Sequence, residues 1–135
     1  MSDSQQSSTT DKVITNELRI ALIRIGERIH QANKRWWIDP ATGLPIQRNV
    51  GEALMLTVSE LAEAMEGHRK TLQDEHLPHR MSLEVELADA MIRIFDLAAG
   101  LGIDLAGAIA EKCEYNRTRA DHSHQARLAP GGKRY

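Results

Sequence analysis

ELAEAM at residues 60–65 and ELADAM at residues 86–91 are nearly the same six residues, 26 positions apart. Each copy sets two acids three residues apart, Glu60 with Glu63 and Glu86 with Asp89, among small alanines and flanking apolar residues. On an α-helix each residue advances about 100°, so acids at i and i+3 lie within about 60° of each other on one face. The alanines at 62, 64, 88 and 90 would let two such helices approach closely.

The segments around both copies carry helical periodicity. Asn49 is a natural N-cap for a helix from about 50 to 70, with a stripe at Leu54, Val58, Leu61 and Met65. The polar connector 71–80 contains Pro78. A third helix then runs from Ser82, taken as its cap, to about Ala99, with Gly100 as its stop. Upstream, Ile14, Leu18, Leu22, Ile25, Ile29 and Ala32 recur at spacings of three and four and predict a first helix over 13–33. Residues 38–48 hold Asp-Pro, Thr-Gly and a second proline and read as a loop. Asp104 can cap a fourth helix reaching about Arg119.

The expectation is therefore an all-α, four-helix bundle with no strands. It has a disordered polar N-terminus (1–12), a helical domain (13–119) and a basic tail (120–135). Residues 117–135 hold five Lys or Arg against Asp121 alone. Helices two and three are apolar around most of their circumference, which predicts burial on more than one side and so a helical homo-oligomer.

Composition sets the outer bounds. A chain of 135 residues makes one domain. Aromatic residues are 4% of the chain, so the core must rest on aliphatic helix formers. With a formal net charge of −2 there is no global basic field, which disfavours stable nucleic-acid binding. The one cysteine, Cys113, fits a reducing compartment and offers no zinc pattern. The N-terminus lacks the basic and apolar regions of a signal peptide, and Arg93, Asp96 and Asp104 interrupt the most apolar stretch, 91–110. No membrane span is expected, and the location read from this is cytoplasmic.

If the two acidic faces look at each other, four carboxylates converge. Solvent separates them, some are protonated, or a cation binds between them. Oxygen ligands without cysteine or a second histidine select Mg²⁺ or Mn²⁺ over zinc. The alternative is that both pairs are ordinary wet faces of soluble helices. A ferritin-like di-metal site fails on count, because it needs two Glu-x-x-His motifs and only Glu27…His30 has that form. Arg93, four residues after Asp89, can pair with it.

Glu60-Leu-Ala-Glu63, 22 intervening residues, then Glu86-Leu-Ala-Asp89 resembles the Glu-x-x-Glu…Glu-x-x-Asp pattern of the MazG-like, all-α nucleoside triphosphate pyrophosphohydrolases. EKCEYNRTRADH at 111–122 is similar to that family's Glu-Lys-x-x-x-Asn-x-x-Arg segment. LMLTVSELAEAMEGHRK and the closing GGKRY look like its small single-domain phage and bacterial members. The resemblance covers about residues 15–135. It implies Mg²⁺-dependent cleavage between the α and β phosphates, with Glu60, Glu63, Glu86 and Asp89 as metal-holding catalytic residues, in a homodimer or homotetramer. Its small phage members point to dGTP as the first substrate to try, which would place the protein in a host cytoplasm. House-cleaning of non-standard nucleotides is the family's other common role. One departure is Ser59, where many relatives carry a further glutamate. It leaves open a nucleotide-binding protein without turnover.

Lys112, Asn116 and Arg119, spaced by four and three, share one face of helix four and suit an extended triphosphate. The competing reading is a solvated basic helix end. Arg69, Lys70, His68, His79 and His122 are weaker phosphate candidates. Trp36 and Trp37 could stack on a base, or pack in the core or a subunit interface.

Overall fold

The computed structural model describes residues 12–133. The expected disorder of the first eleven residues, and Arg134 of the basic tail, lie outside them. Among the described residues there are five α-helices and no strands: α1 Asn16–Asn33, α2 Val50–Lys70, α3 Ser82–Gly100, α4 Leu105–Thr118 and α5 His124–Leu128. Short 3₁₀ turns follow α1 at Lys34–Trp37 and α4 at Ala120–His122. The all-α class stands. Part of the basic tail is helical, because Ser123 accepts from the Ala126 N–H at 3.1 Å and caps the short α5.

The chain forms two compact units. The central one is Arg24–Ile103, and the terminal one joins Met1–Ile23 to Asp104–Tyr135.

In the central unit, α2 and α3 pack antiparallel. Asn49 caps α2, accepting from the Glu52 N–H at 3.2 Å. At its other end Thr71 takes the left-handed conformation and its N–H closes on His68 and Gly67 carbonyls. The α3 cap falls one residue before Ser82. Met81 is the cap, and the Glu84 carboxylate reaches back to its N–H at 3.3 Å. Ser82 is then free to pack, and a Cβ on Gly67 would overlap its side chain.

The buried face of α2 is Ala53, Thr57, Glu60, Ala64 and Gly67, a four-three spacing of small residues around one acid. The expected stripe at Leu54, Val58, Leu61 and Met65 is instead exposed; Leu54 is 52% and Met65 59% accessible. Small side chains win this face because they let the helix backbones close in, whereas branched residues would hold them apart. Only half of the alanine expectation holds. Ala64 and Ala90 are buried, while Ala62 and Ala88 face outward.

The other side of α3 meets α1. Phe95 is buried beside Gly26, and Asp96 is buried against His30 and the tryptophan turn. Gly100 does end α3, but the left-handed residue that turns the chain is Gly102, at φ +68°. Gly100 is needed for space, since a Cβ there would overlap the Trp37 ring.

In the terminal unit, Asp104 caps α4 as expected, accepting from the Gly107 N–H at 2.8 Å, and also meets Arg19 at 3.2 Å. Glu114 accepts from the Val13 N–H at 2.6 Å and pairs with Arg117 at 3.1 Å. No helix among the described residues is long and apolar enough to cross a membrane.

Candidate metal centre

The packing of α2 on α3 brings the two acidic repeats together. One oxygen each from Glu60, Glu63 and Glu86 lies within 4.8 Å of the others. Glu60 is buried, Glu86 half-buried and Glu63 exposed. The cluster thus opens from a closed floor to a wet rim. Asp89, one turn along α3 from Glu86, stands outside this trio.

Arg93 supplies the floor's counter-charge. Its Nε and Nη2 both lie 2.6 Å from Oε1 of Glu60. The expected partner within its own helix, Asp89, receives only the field of that cation. A guanidinium on a long stem reaches the facing helix as easily as the next turn, and a buried carboxylate attracts it more strongly than a wetter one.

The remaining acids show the strain of like charges. Burial raises the Glu86 pKa first, then the Glu63 charge, then a hydrogen bond with Glu60 that favours its protonated form. Asp89 is also raised, by burial and then by the Glu60 charge, with Arg93 opposing. One guanidinium against four carboxylates leaves negative charge at the rim. The donors are all oxygen, which fits a hard divalent cation such as Mg²⁺ or Mn²⁺.

A cavity of about 750 Å³ adjoins the cluster through Asp89 and Arg93. Its other walls include Trp36, Asn33, Gln47, Leu56 and Ile92. The two tryptophans therefore part company. Trp36 stays 59% exposed at this cavity, with Arg35 stacked 5.2 Å from its ring. Trp37 is half-buried, and its Nε1–H is shared by both oxygens of Asp96 at 3.1 Å each. Only Trp36 offers a wall to a ligand beside the carboxylates.

Lys112, Asn116 and Arg119 belong to the terminal unit. Lys112 and Asn116 lie on α4, while Arg119 falls just past its end, because the helix stops at Thr118. Lys112 Nζ sits 4.6 Å from the Tyr115 ring centroid and Arg119 5.6 Å from it. Arg119 also grips Asp121 through two bonds, 2.9 and 2.5 Å. Both cations are thus engaged within their own segment.

Arg93, His30, Asp96 and Arg48 emerge from the structure without having been singled out as site residues. For Asp96 a signal existed: an acid inside the most apolar helix of the chain must find donors. Nothing in the spacing pointed to His30 or Arg48.

Comparison of the chain with models of known protein families, with curated proteins and with solved structures gives no match.

Proposed function

We propose that the protein is a Mg²⁺-dependent nucleoside triphosphate pyrophosphohydrolase, releasing the monophosphate and pyrophosphate. The observation that carries this reading is the convergence of Glu60, Glu63 and Glu86 from two facing helices, oxygens within 4.8 Å, next to a cavity of nucleotide-ligand size. The sequence resemblance supplies the reaction class.

Glu60, Glu63 and Glu86 would hold the cation, with Asp89 at the border between cluster and cavity. When bound, Mg²⁺ supplies neutralisation of phosphate oxygens and the alignment needed for in-line attack by water on the α phosphorus. The chain's own residues do the rest. Arg93 fixes the Glu60 carboxylate through two contacts to Oε1. One of the clustered carboxylates would accept the proton of the attacking water. Trp36 closes one wall against a base. For Arg119 to serve a phosphate, it must exchange its Asp121 partner. dGTP is the first substrate to try, and a non-standard nucleotide the second.

The assembly proposed is a homodimer or homotetramer in the cytoplasm, a phage host's if the gene is phage-borne. Its support is the exposed apolar row of α2, Leu54, Val58, Leu61 and Met65, on a face about 100° around the helix from the buried one.

A second reading, nucleotide binding without turnover, has its own observations. Arg93 already neutralises Glu60. Ser59, in place of a further acid, gives its hydroxyl to the Leu56 carbonyl at 2.7 Å. Chromatography of products from each of the eight common NTPs and dNTPs with Mg²⁺ decides between the two. Monophosphate plus pyrophosphate is expected from at least one. Diphosphate plus phosphate would move the cleaved bond. Binding with no turnover of these or of non-standard nucleotides would establish the second reading.

A further inference from the structure

The central unit has a second cavity, of about 610 Å³, whose lining includes none of the four clustered acids. Its charged and titratable lining groups are His30, Lys34 and Arg48, and no Asp or Glu lines it. The remaining surface is apolar, with Trp37, Pro45, Val50 and Leu101 among its walls. We propose that this cavity is a binding site for an anion, carboxylate, sulfonate or phosphate, carried on a flat apolar body.

The floor of the site is built rather than incidental. Asp96, 7% exposed, accepts from the Trp37 Nε1–H through both oxygens and from His30 Nδ1 at 2.7 Å. These two donors satisfy its acceptor oxygens and hold both rings, which meet edge-on at 5.2 Å between centroids. The bare backbone of Gly100 lets the indole seat itself. Arg48 lies over the same indole, 5.3 Å from its centroid. With Nδ1 of His30 committed to Asp96, its Nε2 is the ring's remaining polar atom.

The cations set the ligand's charge. The Lys34 side chain makes no ion pair or hydrogen bond among the described residues. The Arg48 guanidinium lies over Trp37, and its N–H donors make no hydrogen bond among the described residues, which leaves them for a ligand. Lys34 and Arg48 outnumber Asp96, the one buried acid beneath the rings, and the cavity lining itself holds no acid, so the site favours an anion over a cation. The rigid indole and Pro45 select a flat body over a branched one. Ile46, Gln47 and Arg48 also line the 750 Å³ cavity beside the carboxylates, so the two cavities share a wall, but Lys34, His30 and Trp37 line this one alone.

The test uses the full chain carrying Trp36→Phe, so that Trp37 is the sole indole. The probes are 1-anilinonaphthalene-8-sulfonate and its neutral counterpart N-phenyl-1-naphthylamine. The sulfonate is expected to bind once per chain and to quench Trp37 emission by energy transfer. Lys34→Gln with Arg48→Gln should weaken it about tenfold or more, the scale set by losing charged hydrogen bonds. Lys34→Gln alone changes an exposed, unpaired side chain and leaves the fold intact, and it should weaken binding severalfold. Glu63→Gln should leave it unchanged. Equal affinity of the neutral probe, sulfonate binding indifferent to Lys34, or binding that leaves Trp37 unquenched would each overturn the proposal.

Discussion

Arg93 crosses from α3 to α2 and places two nitrogens 2.6 Å from a single oxygen of Glu60. Glu60 is 8% exposed, whereas the Arg93 side chain is 39% exposed, so the pair is a buried acid held by a partly wet cation. Removing the cation strands the acid, which costs more than removing both. Arg93→Met should lower stability by about 1–2 kcal/mol, below the figure for a fully buried pair because water screens the guanidinium. Urea denaturation of Glu60→Gln, Arg93→Met and the double variant checks this. A double variant as unstable as the sum of the singles would show that the contact carries no energy.

Cation binding to the folded cluster must appear as stability, whatever the protein does with nucleotides. At a tenfold excess over Kd, a ligand of the native state adds about 1.4 kcal/mol, or about 3–6 °C in Tm for a chain of this size. Titration of chelator-treated protein with Mg²⁺ should give such a rise. Glu63→Gln and Glu86→Gln should abolish it, and Asp89→Asn, outside the trio, should keep part of it. A rise of the same size in all variants would mean weak surface association and no centre.

The helices were legible because their periodicity and caps are local. Asn49 and Asp104 cap as their residue types require, and the chain breaks near Pro78 and Gly102. The buried face of α2 was not legible, because a hydrophobic stripe normally marks the covered side and here the covered side is Ala, Thr, Glu and Gly. Packing distance, which no single helix encodes, decided that face. The carboxylate trio was readable from the repeat of Glu60-x-x-Glu63 and Glu86-x-x-Asp89, but the division of labour within it was not. Asp89 stands apart and Arg93 crosses over because of how the two helices are rotated against each other. The linkage of His30, Trp37 and Asp96 joins residues from 30 to 96, a separation at which sequence spacing carries no information.

Asp121 accepts two bonds from Arg119 and a longer one, 3.4 Å, from Lys133. The hydrogen bond from Arg119 chiefly lowers its pKa, from the ordinary 3.8 to about 2. A depressed acid contributes stability that is present above 3.8 and lost as pH falls toward 2. The tail should therefore keep its contact to Arg119 at neutral pH and release it in strong acid. Carbon-13 NMR of the Asp121 carboxyl should show a midpoint near 2 in the parent and a return toward 3.8 in Arg119→Gln. An unshifted midpoint in the parent would show that the contact does not persist in solution.

Gly100 and Gly102 lie two residues apart and should respond oppositely to the same pair of substitutions. At Gly100 the backbone is helical, and alanine would gain about 1 kcal/mol in helix propensity. Its Cβ, however, would overlap the Trp37 ring that Asp96 holds in place. Overpacking of that kind costs about 1–3 kcal/mol, so Gly100→Ala should destabilise on balance and shift Trp37 emission. At Gly102 nothing lies within 4 Å of a new Cβ, but φ is +68°, where alanine is strained by about 1 kcal/mol. Asparagine tolerates that conformation, so Gly102→Asn should recover much of what Gly102→Ala loses, with Trp37 emission unmoved. Gly100→Asn should be worse than Gly100→Ala, since it adds bulk against the same ring. Thermal melts of the four variants, read by circular dichroism and by tryptophan fluorescence, separate the two causes. Rescue by asparagine at Gly100, or its failure at Gly102, would show that the turn and the indole seat have been assigned to the wrong glycines.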